Sequence, residues 1–327
     1  MSAAETDTTG AAAGAILFPG QGSQALGMGL DIAAEEPAAA KWFDLAAEAI
    51  GLDLRAILSG DDRAELDRTD VCQPAILATS MAAISAFESR GLLGAGRVSA
   101  VAGLSLGEYT ALTWAGAIQG QDALKLVRLR GEAMQAASNE RPSGMLSLVG
   151  ATPESAAALC EAAGGDGILV VANLLAPGQV AVAGTMDALE RASAQLKEHG
   201  IRKAVPLSVA GAFHSPCMES AAAALADALD ATAIESPRVP VVMNVTAKAT
   251  TDPDTIRTNL KRQVTAPVLW QASIEALFDA GCTSFFEPAP GKQLTNMLKR
   301  YDREWTAATC GTLDDLQSAV AWPGGDS

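Results

Sequence analysis

Apolar positions along the chain alternate between short dense runs and longer stretches with helical spacing. Residues 15–18 form a dense run ending in Pro-Gly-Gln-Gly, the pattern of a buried strand followed by a turn. Helical spacing follows over about 42–58 and again over 74–90, the second after a Thr-Asp start. A second dense run, 98–102, leads at once into Gly-Leu-Ser-Leu-Gly-Glu and a long Ala/Leu helix pattern. The middle of the chain has a different grain. Strands are predicted at 145–149, 168–172, 180–183 and 201–209, with helices at 153–163 and 186–199. This βαββαβ order is the ferredoxin-like pattern. The chain then returns to helix (218–231), strand (241–245), helix (274–280) and strand (284–287), with a glycine turn at Gly291. The expectation is an α/β protein: a large domain of residues 14–141 and 209–318 with a ferredoxin-like subdomain, 142–208, inserted in it. Residues 1–13 read as a disordered N-terminus and 319–327 as a flexible tail.

Composition narrows the function classes. Of 327 residues 49% are apolar, ample for a large core, but only 4% are aromatic, so Ala, Val, Leu and Ile must fill it. With 23 Lys+Arg against 38 Asp+Glu the net charge is −15, which opposes binding to nucleic acid or an anionic membrane surface. The five cysteines are scattered without a CxxC pair, as expected for buried thiols in a reducing cytoplasm. The N-terminus lacks a basic n-region, and no uninterrupted apolar run approaches the ~18 residues of a membrane span. Together these features read as a soluble, cytoplasmic protein.

Candidate chemistry centres on Gly103-Leu104-Ser105-Leu106-Gly107, a G-x-S-x-G pattern between a predicted strand and a predicted helix. That setting is a nucleophile elbow: small flanking residues permit a sharp turn that presents Ser105 at a helix N-terminus, where the Leu106 amide can hold an oxyanion. A serine needs a base, and the chain has two histidines. His199, in Lys-Glu-His-Gly, suits a helix C-terminus and reads as structural. His214, in Gly-Ala-Phe-His-Ser-Pro at a predicted domain junction, is therefore assigned as the base by elimination. The Gly-Gln-Gly turn after the first strand matches neither a Walker loop nor G-x-G-x-x-G, and a second oxyanion amide suits it better than phosphate binding. Arg128 and Arg130 point about 200° apart on a helix and cannot share one site; spacing leaves open which faces inward.

Five ordered blocks, GQGSQ, GLSLGEYTAL, LRLRGEAM, GAFHSPCM and FEPAPGKQLTNMLKR, resemble the malonyl-CoA:acyl carrier protein transacylases from about residue 15 to 315. The resemblance implies an α/β-hydrolase-like large domain with a parallel sheet carrying a ferredoxin-like insertion. It implies Ser105 as nucleophile and His214 as general base, with oxyanion amides from Gln21 and Leu106. By the same resemblance Arg130 clamps the malonyl carboxylate, which leaves Arg128 at the surface. The Gln263 carbonyl orients the histidine, Asn173 lies near the acyl site, and Phe213 restricts bulkier acyl groups. No cofactor is bound permanently; a coenzyme A thioester is the substrate, and the partners are malonyl-CoA and acyl carrier protein. Two positions depart from the family pattern: Leu104 replaces the histidine of GHSLGE, and Leu175 stands where some members carry a second asparagine.

The same residues admit rivals. A serine ester or lipid hydrolase shares the elbow, a free-standing acyltransferase of polyketide synthesis shares the chemistry, and an inactive acyl-binding scaffold would need neither Ser105 nor His214. An acidic carrier protein calls for a local basic patch, for which Lys292, Lys299 and Arg300, or Lys197, Arg202 and Lys203, are candidates.

Overall fold

The computed structural model describes residues 13–94 and 97–322; the expected disorder of the first residues and the end of the expected tail fall outside them. Ten strands make two sheets. The larger has the order β10-β9-β1-β2-β7-β8, from β1 (Ala13–Phe18), β2 (Val98–Gly103), β7 (Val241–Val242), β8 (Ala249–Thr250), β9 (Cys282–Pro288) and β10 (Thr306–Cys310). All neighbours in it are parallel except β7 and β8. Ala15, Ile16, Leu17 and Phe18 are fully buried, so β1 carries no polar alternation: helices cover both faces of a central parallel strand. The chain is thus a mixed α/β protein. The smaller sheet is antiparallel, ordered β4-β5-β3-β6 from β3 (Ser143–Val149), β4 (Leu169–Ala176), β5 (Gln179–Thr185) and β6 (Lys203–Pro206). It has its own apolar core, in which Leu148, Leu159 and Val182 take part. Strand β4 also joins the larger unit, since Leu174 N–H donates to the Val268 carbonyl at 2.9 Å and Val268 N–H to that of Ala172 at 2.9 Å.

Several predicted elements change at their edges. The apolar pattern over 42–58 is two helices, Pro37–Ile50 and Leu54–Ser59, because Gly51 adopts the left-handed conformation that ends a helix. The long pattern after the elbow is likewise split, at Gly116, into Gly107–Trp114 and Gly120–Glu140. The helix Met186–Gln195 stops short of His199, which lies half-buried in the turns beyond it. The 201–209 and 241–245 strands shorten to the bounds of β6 and β7. A helix at Pro253–Gln263, absent from the apolar pattern, turns out to carry a site residue.

The helix Thr69–Ser89 runs past Pro74 instead of starting there. By length and composition it could cross a membrane, contrary to the reading of the apolar runs, yet 94% of its window is buried inside the fold. A proline within a helix strips the carbonyl four residues earlier of its partner. Here that carbonyl belongs to Asp70 and accepts instead from Arg128 Nη1 at 2.9 Å. Arg128 also pairs with the Asp70 carboxylate at 2.9 Å and with Glu132 at 2.6 Å, so it is a brace between two helices and not a surface charge. Arg128→Leu should cost about 1–3 kcal/mol, the penalty for leaving buried polar groups without partners. Urea denaturation measures it, and a variant as stable as the parent would remove Arg128 from this role.

Candidate active site

Strand β2 ends at Gly103 and the helix Gly107–Trp114 begins four residues later, so the chain reverses within one tight turn. Both glycines are required by close approach. A Cβ on Gly103 would collide with the Gly107 carbonyl group, and one on Gly107 would meet the Phe18 carbonyl of β1. Squeezed between them, Ser105 adopts φ 53°, a left-handed conformation unusual for serine. Such strain costs on the order of 1–3 kcal/mol and persists only where surroundings enforce it.

The enforcing contacts come from afar. Ser105 N–H donates to Asn244 Oδ1 at 2.7 Å, and Asn244 Nδ2 donates back to the Gly103 carbonyl at 2.7 Å. Gln263 Nε2 donates to the Ser105 carbonyl at 2.9 Å. Asn244 follows β7, and Gln263 closes the helix Pro253–Gln263.

His214 also lies in the left-handed region, at φ 58°, in the turn before Pro216. Its Nε2 is 2.8 Å from Ser105 Oγ, and its Nδ1 is 2.8 Å from the backbone carbonyl of Gln263. A carbonyl can only accept, so the proton sits on Nδ1 and Nε2 is free to take one from serine. The imidazole pKa is pulled down to about 4, first by burial and then by the positive charge of Arg130. No carboxylate is needed to orient the ring.

Arg130 is the most buried cation here, at 1% exposure. Its Nη1 donates to Gln73 Oε1 at 2.7 Å, and its Nη2 donates to Ser105 Oγ and to Gln263 Oε1, each at 3.0 Å. Burial pulls its pKa down, while the nearby Tyr109 and Glu108 act to raise it. All three hydrogen-bond acceptors are neutral. The guanidinium thus remains electrostatically open to an anion.

A cleft of about 90 Å³ opens on this group, lined among others by Gln21, Leu106, Asn173 and Phe213, together with Ser105, Arg130 and His214. Every site residue expected from the sequence except Gln263 faces it, and Gln263 stands behind Ser105 and His214. Asn173 Oδ1 is buried with no protein hydrogen-bond partner among the described residues. The loop bearing Gln21 is clipped by Gln24, which accepts from Gly22 N–H and donates to Asp67, both at 2.7 Å. Leu104 and Leu175, the two departures, are buried in one apolar cluster.

Sequence reasoning missed Gln73, Glu108, Asn244 and the side chain of Gln263. Glu108 is fully buried and takes the Asn244 N–H at 2.6 Å on Oε1 and Gln263 Nε2 at 2.6 Å on Oε2. Burial pushes its carboxyl up to about 7, against the lowering effect of those two bonds and of Arg130. The available signal was a charged residue in an otherwise apolar stretch, Gly-Glu-Tyr-Thr-Ala-Leu, which demands buried partners.

Fold and site together define a mixed α/β protein with a serine elbow, a histidine and a buried arginine at one cleft. Comparison with known proteins narrows the class: residues 16–319 match the family model described as "Acyl transferase domain". The malonyl CoA-acyl carrier protein transacylase of Escherichia coli (strain K12) is 40% identical over 94% of this chain and 98% of its own. That of Bacillus subtilis is 38% identical over 94% and 96%. The crystal structure of the Xanthomonas oryzae malonyl-CoA:acyl carrier protein transacylase superposes with a TM-score of 0.89 at 37% identity, covering 95% of this chain and 98% of the other. A chain from the structure of a type II polyketide-synthase acyl carrier protein in complex with its malonyl-transacylase gives the same TM-score at 36% identity, covering 94% of this chain and 99% of the other. The chain belongs to the malonyl CoA-acyl carrier protein transacylases of the acyl transferase family.

With two histidines in the chain, the state of His214 is directly measurable by imidazole NMR. The signal missing from His214→Ala should titrate near 4; a midpoint at or above the ordinary 6.5 contradicts the burial argument. Because the folded value lies below the unfolded one, the unfolded chain takes up this proton first. His214 therefore weakens folding progressively as pH falls from about 6.5 toward about 4.

Proposed function

We propose that this chain moves the malonyl group from malonyl-CoA through Ser105 to the phosphopantetheine thiol of an acyl carrier protein. The observation that carries the reading is the position of Ser105 Oγ, 2.8 Å from a histidine acceptor and 3.0 Å from a buried arginine. As Oγ attacks the thioester carbonyl, His214 Nε2 takes its proton and the Oγ–C bond forms. The tetrahedral oxyanion is held by the Gln21 and Leu106 amides. The C–S bond then breaks, the proton passes from Nε2 to the departing sulfur, and coenzyme A leaves as the thiol. The carrier thiol attacks the malonyl-serine by the same steps in reverse, giving ping-pong kinetics.

Arg130 exchanges its contact with Ser105 for the malonyl carboxylate, which disfavours acetyl groups. Asn173 supplies an acceptor beside the acyl group, and Phe213 limits its branch. One methyl group is worth only about 1–3 kcal/mol of discrimination. A hydrolase of neutral esters would have no use for a buried guanidinium with neutral acceptors. Water as acceptor is therefore the weaker reading. The chemistry is complete without a permanently bound cofactor.

The structural part of the reading is an α/β-hydrolase-like large domain, residues 14–141 and 209–318, with a ferredoxin-like insertion at 142–208. The mostly parallel larger sheet and the β4-β5-β3-β6 order of the smaller one support it. The five free cysteines suit a cytoplasmic setting, and relatives named for an acyl carrier protein, one of them of a type II polyketide synthase, support a carrier of either fatty-acid or polyketide synthesis as recipient.

Intact-protein mass spectrometry after brief exposure to malonyl-CoA tests the proposal. The wild type should gain one malonyl unit, Ser105→Ala none, and acetyl-CoA should label poorly. Arg130→Ala should lose at least 100-fold in malonyl transfer. Equal labelling by acetyl- and malonyl-CoA in the wild type would sink the role of Arg130, and an adduct on Ser105→Ala would sink that of the serine.

A further inference from the structure

We propose that Glu108 is a positioning residue whose carboxylate sets both the serine turn and the arginine clamp, acting through Asn244 and Gln263. The inference rests on the acyl-transfer reading above and extends it to residues that touch no substrate. The two oxygens of Glu108 face two separate groups. Oε1 accepts the backbone N–H of Asn244 at 2.6 Å, and the side chain of the same Asn244 grips Ser105 N–H and the Gly103 carbonyl, each at 2.7 Å. Oε2 accepts Gln263 Nε2 at 2.6 Å, which fixes how the Gln263 amide lies.

That amide orientation carries the argument. With Nε2 turned toward two acceptors, Glu108 Oε2 and the Ser105 carbonyl, Oε1 is left facing Arg130 Nη2 at 3.0 Å. The backbone of the same residue accepts from His214 Nδ1 at 2.8 Å. Serine, base and clamp are thus referenced to one carboxylate. With a donor facing each oxygen and no acceptor beside either, the contacts favour the ionised carboxylate, against the burial that raises its pKa to about 7. An amide at position 108 must turn its NH2 toward either the Asn244 N–H or Gln263 Nε2, donor against donor. The first choice releases the serine turn. The second is relieved only by flipping Gln263, which puts its NH2 against Arg130 and strips the Ser105 carbonyl of its side-chain donor, leaving it only the Glu108 N–H at 3.1 Å.

The charge is also suited to the task. Glu108 is fully buried; the charged and titratable groups around it are Arg130, from the helix Gly120–Glu140, and Tyr109 beside it, with His214 neutral beyond Gln263. Its negative charge offsets that of Arg130 without occupying the guanidinium, because the neutral Gln263 side chain stands between them. A direct carboxylate partner would compete with the malonyl group; one displaced by an amide does not.

The test uses Glu108→Gln and Gln263→Leu, singly and combined, in the full chain. Three quantities are read: the rate of Ser105 acylation by malonyl-CoA, the ratio of malonyl to acetyl labelling, and modification of Ser105 by a neutral sulfonyl fluoride. Glu108→Gln should slow sulfonylation at least 10-fold and lower the malonyl preference at least 10-fold. Adding it to Gln263→Leu should lower that preference little further, as expected for residues acting in series. A folded Glu108→Gln with wild-type preference and sulfonylation overturns the proposal, as do losses that simply multiply in the double variant. If Glu108→Gln does not fold, Gln263→Leu alone decides: unchanged preference overturns the relay. Wild-type protein that reacts with the sulfonyl fluoride but with neither thioester would overturn the acyl-transfer reading, leaving the brace to be judged on sulfonylation alone.

Discussion

The rest of the site depends on one backbone constraint, the left-handed turn at Ser105. A serine held at φ 53° between two glycines that admit no side chain presents its hydroxyl above the sheet, at the start of a helix. Left alone, the turn would relax. It is held because its N–H and C=O are claimed by Asn244 and Gln263, residues packed behind it. The same Gln263 then holds His214 by its backbone and Arg130 by its side chain, so fixing the turn also fixes the imidazole and the guanidinium. The site is a single hydrogen-bonded unit, and its geometry is set before any substrate arrives.

Burial gives this unit its electrical character. Arg130 and Glu108 are both removed from water, and each is stabilised mainly by neutral amides. Desolvation alone would be prohibitive for either charge. Their mutual attraction across Gln263 reduces that cost while keeping the guanidinium available to a carboxylate. The same desolvation keeps His214 neutral and able to accept a proton well below its ordinary range. An alanine-rich core permits this, because small side chains let helices approach closely. Gly131 packs against the backbone of Thr69 and Asp70, seating the Arg130 helix against the helix that supplies Gln73.

The small antiparallel sheet contributes one wall of the cleft through Met145 and Asn173, extended by Leu207 just beyond β6. Its tie to the larger unit at Val268 is backbone to backbone, so the position of Asn173 follows from strand pairing more than from side-chain packing. Leu104 and Leu175, the two positions that depart from the expected family pattern, lie in a common apolar cluster. Of the two, Leu104 also lines the cleft, next to Ser105, whose Oγ keeps its 2.8 Å contact with His214.

Much of this was legible in the order of residues. The elbow is local, its glycines and serine lying within five positions, and steric exclusion makes the pattern informative without a fold. The strand-turn-helix context, the βαββαβ order and the scarcity of histidines are likewise properties of the chain read in line. Which arginine turns inward, and what holds the elbow, were not legible that way. Arg128 and Arg130 have the same local chemistry, and only the packing of two helices around Pro74 and Gly131 assigns one to a brace and the other to the cleft. Asn244 and Gln263 meet Ser105 and Glu108 across 136 to 158 positions of sequence, and a neutral amide carries no signature of the partner it will find. Hydrogen bonds to buried groups are specified by three-dimensional proximity, so the sequence by itself singled out Ser105 and His214 as the candidate pair, and only the tertiary structure decided what holds the serine turn.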